Sequence, residues 1–214
     1  MPSEDLPFIL EGLHLQPRAL PLVPELKLML LADELPWHSL EGDDYHRLMQ
    51  QPPYWAFCWG GGMALARWIL DNPASVKGLN VVDFGAGSGV AGIAAAKAGA
   101  GSVLAVDIDD DALAASRYNA GLNGVSLTTS ARFETHGEDL LLAADICYEE
   151  SGFDGVIAHI RNGGQALIAE SRKRDLAVNF PSLRQIACCQ MRTFPDLEEA
   201  PEFDSVHIFS TFFT

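Results

Sequence analysis

From residue 79 onward, short apolar runs alternate with segments that have the periodicity of a helix. The apolar runs predict strands at Leu79–Phe84, Ser102–Asp107, Val125–Thr129, Leu140–Cys147 and Gln165–Ala169. The segments between them predict helices over Val90–Ala98, Asp111–Leu122 and Phe153–Ile160. Strands that alternate with helices in this way predict an α/β fold, with a parallel sheet that has helices on both faces.

The C-terminal part has a different pattern. Two apolar segments, Cys189–Phe194 and Val206–Phe212, are separated only by an acidic loop, which leaves no room for a crossover helix. We therefore expect an antiparallel hairpin there. Together with the earlier strands, this hairpin gives a Rossmann-like, doubly wound and mostly parallel seven-stranded sheet.

The N-terminal residues have a weaker pattern. Glu25–Leu31 alternates polar and apolar side chains at first, which predicts a strand. Met63–Leu70 predicts a helix that ends before Pro73. We expect one compact domain, in which residues 1–78 form an N-terminal segment on a core of residues 79–214.

Composition narrows the class of protein. The chain has 214 residues, of which 48% are hydrophobic, and this fraction excludes disorder over most of its length. No stretch approaches the roughly 18 uncharged apolar residues of a membrane span, and Glu4 and Asp5 stand where a secretory signal would be basic. The cysteines form no CxxC pair and no zinc-finger spacing, which predicts reduced thiols, no metal site and a cytoplasmic location.

The charge limits the possible partners. There are 14 basic and 29 acidic side chains, which give a net charge of −15. A surface of this sign repels phosphate backbones, so a nucleic-acid partner is disfavoured. The charge suits a basic protein or a neutral small molecule, or it serves only to keep the protein soluble.

The main chemical signal is the glycine-rich segment Val81–Gly89 (VVDFGAGSG), which follows a predicted strand and precedes a predicted helix. In that position a ligand binds against the backbone at the carboxyl edge of a sheet. Asp107 ends the next predicted strand, where a carboxylate is able to hold two ribose hydroxyls. The segment therefore predicts a nucleoside-containing cofactor.

Two cofactors compete for this loop. Gly87–Gly92 matches GxGxxG, the dinucleotide pattern, which places a pyrophosphate on the helix N-terminus. Asp83 lies two residues before the first glycine and would repel that pyrophosphate. S-adenosylmethionine has no phosphate, and its ammonium group suits a nearby carboxylate. The predicted hairpin also argues against the second half of a dehydrogenase, so we predict S-adenosylmethionine.

The DxGxGxG pattern, with an acidic residue at the end of the next strand, resembles the class I (seven-strand) methyltransferases. Upstream, Pro52–Gly62 (PPYWAFCWGGG) resembles the nicotinamide N-methylase-like group, which includes the lysine methyltransferases of the electron transfer flavoprotein β subunit. The resemblance implies that residues 1–78 cover the cofactor. It also implies cofactor contacts by Trp59, Gly60, Asp83, Gly85, Ala86, Gly87, Gly89, Asp107 and Ile108.

In this resemblance the cofactor touches three parts of the chain. Trp59 and the backbone at Gly60 and Gly61 line its methionine end, although core packing is an alternative interpretation of the tryptophan. Asp83 and the glycine loop hold the amino-acid part and the ribose side. Asp107 takes the ribose hydroxyls, and Ile108 lies against the adenine.

The segment after the fourth predicted strand contains Asp145 and Tyr148, which resemble the Asp-x-x-Tyr motif of protein-lysine methyltransferases. Methylation of an amine is an in-line displacement at a sulfonium methyl group, so its rate depends on positioning. Asp145 would accept a hydrogen bond from the amine and orient it, and Tyr148 would line the channel. The alternative is that Asp145 caps a helix and Tyr148 is a rim aromatic.

Some segments depart from this family or are ambiguous. Where the family has Asp-Pro-Gly-Arg after strand five, this chain has Ala169–Arg174 (AESRKR). The basic cluster Arg172–Arg174 suits either an acidic partner or a solvated loop, and the acidic stretch Asp196–Asp204 suits either a basic protein or a solvated hairpin loop. Thr129 and Ser130 are the candidates for contact with the adenine amine.

We therefore predict an S-adenosylmethionine-dependent N-methyltransferase that acts on a protein lysine, with no nucleic-acid or membrane partner. A small aromatic or aliphatic amine is the alternative acceptor, in line with the name nicotinamide N-methylase. A protein that binds the cofactor without catalysis is the third hypothesis.

Overall fold

The computed structural model describes residues 14–32, 50, 52–133, 140–146 and 150–212. Its strands are β1 (Leu15–Ala19), β2 (Lys27–Leu31), β3 (Asn80–Phe84), β4 (Ser102–Val106), β5 (Thr128–Ser130), β6 (Leu140–Ala144), β7 (Ala166–Glu170), β8 (Arg184–Gln190) and β9 (Ser205–Ser210). The last seven form one sheet in the order β5-β4-β3-β6-β7-β9-β8. Among the described strand pairs of this sheet, those that involve β9 are antiparallel and the others are parallel. The predicted seven-stranded, mostly parallel sheet with an antiparallel C-terminal hairpin is confirmed.

The helices alternate with the parallel strands as predicted. They are α1 (Gly60–Asp71), α2 (Val90–Lys97), α3 (Asp110–Leu122), α4 (Glu150–Arg161) and α5 (Leu176–Asn179). Short 3-10 turns lie at Tyr54–Ala56, Pro73–Ser75 and Pro201–Asp204. Among the residues described, no helix combines the length and the apolar character that crossing a membrane requires.

The central strands are apolar on both faces because helices cover both sides of the sheet. Leu140 and Leu142 of β6 pack in one core cluster with side chains of α1 and α2, whereas Leu141 and Ala143 pack in the other with side chains of α4. All four are fully buried. This two-sided core aligns β3, β4 and β6, so their carboxyl ends meet at one edge of the sheet.

Several predicted boundaries are wrong. β8 spans Arg184–Gln190 and not Cys189–Phe194, because an edge strand with exposed polar side chains has little apolar signal. Phe194 instead forms an antiparallel backbone bridge with Cys58. β6 ends at Ala144, since the next residue, Asp145, has a left-handed backbone with φ of +50°.

The separate hairpin of β1 and β2 is joined to α3 by a buried asparagine. The N–H of Met29 donates to Asn119 Oδ1 at 2.7 Å, and Asn119 Nδ2 donates to the carbonyl oxygen of Ser88 at 2.9 Å. Asn119 is fully buried. One amide thus connects the N-terminal segment to the loop that precedes α2. The domain boundary at residue 78 stays a prediction.

Replacing Asn119 with alanine leaves the Met29 N–H and the Ser88 carbonyl without this partner. We expect the free energy of unfolding to fall by roughly 2 kcal/mol or more, because an unpaired buried polar group costs about 1–3 kcal/mol. Urea unfolding measures the change. The control is Asn162→Ala, at an exposed position after α4, where we expect a change below about 0.5 kcal/mol. Equal losses in the two variants would contradict the bridging role of Asn119.

Candidate functional site

The glycine loop between β3 and α2 turns back over the end of β4. Gly85, Gly87 and Gly89 have φ values of +69°, +50° and +80°, a region that glycine adopts without steric cost. The N–H groups of Gly85 and Ala86 both donate to the carbonyl oxygen of Val106, at 2.8 and 3.0 Å. The loop is therefore fastened to the neighbouring strand at the carboxyl edge of the sheet.

Asp107 follows β4 and faces the same loop. Its Oδ2 accepts from the N–H of Gly87 at 2.8 Å, and its Oδ1 accepts from the N–H of Asp109 at 3.0 Å. Burial raises the pKa of Asp107, and these N–H groups oppose the rise. The neighbouring Ile108 is 92% exposed. A carboxylate and a large apolar side chain thus stand together beside the loop, where a ribose and a planar ring would fit.

Asp83 on β3 lies beneath the loop and is 3% exposed. Its Oδ2 accepts from the N–H of Gly92, in the first turn of α2, at 2.8 Å. A Cβ atom at Gly92 would lie 2.9 Å from that oxygen, so the glycine permits the contact. Burial raises the pKa of Asp83 to about 7, and the charge of Asp107 adds to the rise. Asp83 therefore contacts α2, and its contact with the cofactor stays a prediction.

Glycines open α1, which begins at Gly60, three residues earlier than predicted. An ideal Cβ atom at Gly60 would lie 2.8 Å from the carbonyl oxygen of Met191. One at Gly61 would lie 2.5 Å from Oδ2 of Asp145. Helix propensity disfavours glycine, so the reason for these residues is the close approach of other segments.

Trp59 precedes α1 and is held by its neighbours. Its Nε1 donates to the carbonyl oxygen of Tyr54 at 2.9 Å. Its ring lies 5.7 Å from the ring of Tyr54 and 6.2 Å from that of Phe57, measured between centroids. The side chain is only partly buried. It thus packs on the turn before the helix and still leaves surface exposed, and its role as a cofactor wall stays a prediction.

Asp145 stands directly after β6 and has two hydrogen-bond donors from other parts of the chain. Its Oδ2 accepts from the N–H of Gly61 at 2.6 Å, and its Oδ1 accepts from the hydroxyl of Ser171 at 3.0 Å. Burial raises the pKa of Asp145, while both hydrogen bonds and the charge of Arg172 oppose the rise. The carboxylate is therefore held from two sides.

The structure brings Asp145 close to the glycine loop. A Cβ atom at Gly85 would lie 2.8 Å from Cγ2 of Ile146, so the loop and the segment after β6 are in contact. The start of α1 meets the same segment through Gly61. The other predicted acceptor-site residue, Tyr148, lies outside the described residues, and its role stays a prediction.

The loop after β7 contains a residue that sequence reasoning missed. Ser171 is 4% exposed and donates to Asp145. The next residue, Arg172, pairs with Glu199 at 2.6 Å, and its guanidinium lies 4.5 Å from the ring centroid of Phe203. The only sequence signal was that this loop differs from the Asp-Pro-Gly-Arg of the family.

The basic cluster and the acidic stretch pair with each other and with a neighbouring arginine. Besides the pair of Arg172 with Glu199, Arg174 donates to a backbone carbonyl of the acidic stretch. Arg192 pairs with Asp196 at 3.3 Å and with Asp204 at 2.8 Å. These charges are therefore engaged within the chain, which neither interpretation of the two segments had foreseen.

Thr129 and Ser130, the two candidates for contact with the adenine amine, lie in β5 and have hydrogen-bond partners nearby. This strand begins three residues later than predicted. Thr129 Oγ1 accepts from Arg117 at 2.6 Å. The hydroxyl of Ser130 donates to the carbonyl oxygen of Arg132 at 2.8 Å. Their contact with a cofactor stays a prediction.

Comparison with known proteins finds relatives that are named as methyltransferases. Residues 66–165 match the family model of ribosomal protein L11 methyltransferase (PrmA). Over 148 residues the chain is 38% identical to the electron transfer flavoprotein beta subunit lysine methyltransferase of Mus musculus, a match that covers 66% of this chain and 56% of that protein. The Homo sapiens protein of the same name is 36% identical over 140 residues, with coverages of 63% and 52%.

The chain is similar to methyltransferases over about two thirds of its length. The resemblance that the glycine loop and the tryptophan-glycine segment predicted is confirmed. The chain spans about half the length of the curated relatives that it matches. Among solved structures, N-methyltransferase NodS from Bradyrhizobium japonicum, in complex with S-adenosyl-L-homocysteine, shares the fold, with a TM-score of 0.52 and 16% identity over 81% of this chain and 94% of that chain.

Gly61→Ala tests the close contact at the start of α1. Because the added Cβ atom would lie 2.5 Å from Asp145 Oδ2, the helix or the carboxylate must shift. We expect the free energy of unfolding to fall by about 1–3 kcal/mol. The matched control is Gly121→Ala in α3, where a Cβ atom meets nothing within 4 Å. There alanine should raise the free energy of unfolding by as much as about 1 kcal/mol. Chemical denaturation compares the two, and a neutral Gly61→Ala would contradict the contact.

Asp83 makes the stability of the fold depend on pH. Its folded pKa of about 7 lies above its ordinary value of 3.8, so folding favours the protonated carboxyl. The resulting stability is fully present below about pH 4 and is lost as the pH rises through 7. Over this pH range the free energy of unfolding of the unchanged chain should fall, relative to that of Asp83→Asn, by up to about 4 kcal/mol. Urea unfolding at several pH values measures it, and parallel pH curves for the two proteins would contradict the assignment.

Proposed function

We propose that this chain transfers a methyl group from S-adenosylmethionine to the side-chain amine of a lysine in a protein. The two relatives compared above are named as lysine methyltransferases of a protein subunit, and the family model is named for a ribosomal protein. The observation that carries the proposal is the carboxylate of Asp145, held beside the glycine loop at the carboxyl edge of the sheet.

The residues around the glycine loop fit S-adenosylmethionine. Each oxygen of Asp107 accepts one N–H and retains a lone pair, which suits two ribose hydroxyls. Ile108 exposes apolar surface on which an adenine would pack. The backbone at Gly60, with Trp59 beside it, would line the methionine end. When bound, the cofactor supplies a methyl group on a positively charged sulfur.

Asp145 would orient the acceptor amine. A lysine reaches the site as an ammonium ion, and it must release a proton to solvent before it has a lone pair. Asp145 then accepts a hydrogen bond from an amine N–H and directs the lone pair along the line that displacement requires. Gly61 and Ser171 each occupy one lone pair of the carboxylate, which leaves acceptor capacity for the amine.

The N-terminal segment, residues 1–78, would cover the cofactor. Its helix α1 starts against Asp145 through Gly61. Just before that helix, Cys58 pairs through its backbone with Phe194 in the connection between β8 and β9. These contacts on two sides support the placement of this segment beside the site.

Asp145→Asn tests the role of the carboxylate, with Asp71→Asn as the matched control. Asparagine keeps the shape of the side chain but loses its charge and places an amide donor where an acceptor is needed. We expect methyl transfer to fall about 100-fold or more, since a small misplacement of the reacting groups costs that much. Affinity for S-adenosylhomocysteine should stay close to that of the unchanged chain. Asp71 pairs with Arg67 at the exposed end of α1, so its variant should keep full transfer.

Transfer is measured with labelled S-adenosylmethionine in a cell extract, and product binding is measured by calorimetry. A labelled protein band whose label maps to lysine supports the proposal. Label confined to small molecules would mean that the acceptor is a small amine and not a protein lysine. Binding without any label would leave a cofactor-binding protein that has no transferase activity. Full activity of Asp145→Asn would remove Asp145 from the proposed role.

A further inference from the structure

Asp145 has an uncommon backbone conformation and a carboxylate that is fixed from two directions. Its φ of +50° lies in the left-handed region that residues other than glycine rarely adopt. The start of α1 provides one donor, the N–H of Gly61 at 2.6 Å. The loop after β7 provides the other, the hydroxyl of Ser171 at 3.0 Å. With one donor on each oxygen, the directions of the remaining lone pairs are set.

Ser171 is itself held in place. It is 4% exposed, and the adjacent Arg172 pairs with Glu199 at 2.6 Å and lies over the ring of Phe203. Glu199 also accepts a hydrogen bond from the hydroxyl of Thr193. The loop that carries Ser171 is thereby fastened to the connection between β8 and β9, so its hydroxyl has a defined position.

This loop is also where the chain departs from the Asp-Pro-Gly-Arg of the family that it resembles. Proline and glycine have no side-chain donor, whereas Ser171 has a hydroxyl that the structure places against Asp145. The hydroxyl of Ser171 is thus a contact at the carboxylate itself.

We propose that Ser171 is a positioning residue of the acceptor site, whose hydroxyl holds the Asp145 carboxylate in the orientation that receives the amine. The inference rests on the proposed methyl transfer and adds to it a residue that acts through Asp145. Ser171 would set both the direction of the carboxylate and its affinity for a proton.

The charges around Asp145 define the direction of the expected effect. Arg172 favours the ionised carboxylate and Glu199 opposes it. Cys58, buried near Asp145, has a raised pKa and remains a neutral thiol. Burial raises the pKa of Asp145, and the hydrogen bond from Ser171 lowers it. Loss of the hydroxyl therefore raises this pKa, so the carboxylate takes up a proton at a higher pH.

The experiment compares Ser171→Ala with Ser171→Thr, which keeps a hydroxyl, and with Ser75→Ala as a matched control. Ser75 is also buried, but its hydroxyl donates to the carbonyl oxygen of Asn72 after α1. For Ser171→Ala we expect kcat/KM for the amine to fall about tenfold at neutral pH, with S-adenosylhomocysteine affinity retained. In the acid limb of the kcat/KM profile the step that belongs to the lysine ammonium should stay, and the further step that belongs to Asp145 should move to higher pH. Threonine should restore both, and Ser75→Ala should change neither.

A second measurement separates this inference from the proposed function. The carboxyl carbon-13 resonance of Asp145, assigned by its loss in Asp145→Asn, reports its pKa without any acceptor. A higher pKa of Asp145 in Ser171→Ala supports the control of Asp145 by Ser171. This support holds even where no amine is methylated. The absence of methylation would overturn only the proposed function. An unchanged pKa in Ser171→Ala overturns the inference. A matching loss of S-adenosylhomocysteine affinity also overturns it, because the role would then be structural.

Discussion

The site depends on how closely backbone segments approach one another at the carboxyl edge of the sheet. An ideal Cβ atom would lie 2.5 Å from Oδ2 of Asp145 at Gly61 and 2.8 Å from Cγ2 of Ile146 at Gly85, so a larger residue at either position would require a side chain or a segment to shift. Parallel strands bring their carboxyl ends to a common edge, and these glycines let α1, the glycine loop and the end of β6 meet there. The hydrogen bond from Gly61 to Asp145 exists because this packing leaves no space between them.

The same packing places three carboxylates, Asp83, Asp107 and Asp145, around the glycine loop, and burial raises the pKa of each. Backbone N–H groups oppose these shifts but carry no full charge. A ligand with a positive charge would stabilise the ionised carboxylates, whereas a phosphate would add to their repulsion. Electrostatics at this edge therefore favour the sulfonium and ammonium groups of S-adenosylmethionine over a dinucleotide, in agreement with the methyltransferases that the chain resembles.

The sequence was informative where local pattern and burial agree. Leu140 and Leu142 alternate with apolar neighbours that are buried on the opposite face, so β6 was predicted from its apolar run. β8 was misplaced because half of its side chains face solvent and its register depends on pairing with β9. Ser171 was missed for another reason. Its contact joins two loops that are 26 residues apart, and no periodicity records such a contact.

The loop charges also bear on how an acceptor protein would be chosen. Arg172 and Glu199 are only partly buried, so a charged partner is able to compete for either side chain. Such competition is not neutral here, because Arg172 is adjacent to Ser171 and Ser171 contacts Asp145. A partner that separated Arg172 from Glu199 would loosen the carboxylate that has to orient the amine. On the proposed role of Ser171, an acceptor that leaves this ion pair closed also leaves the carboxylate in place.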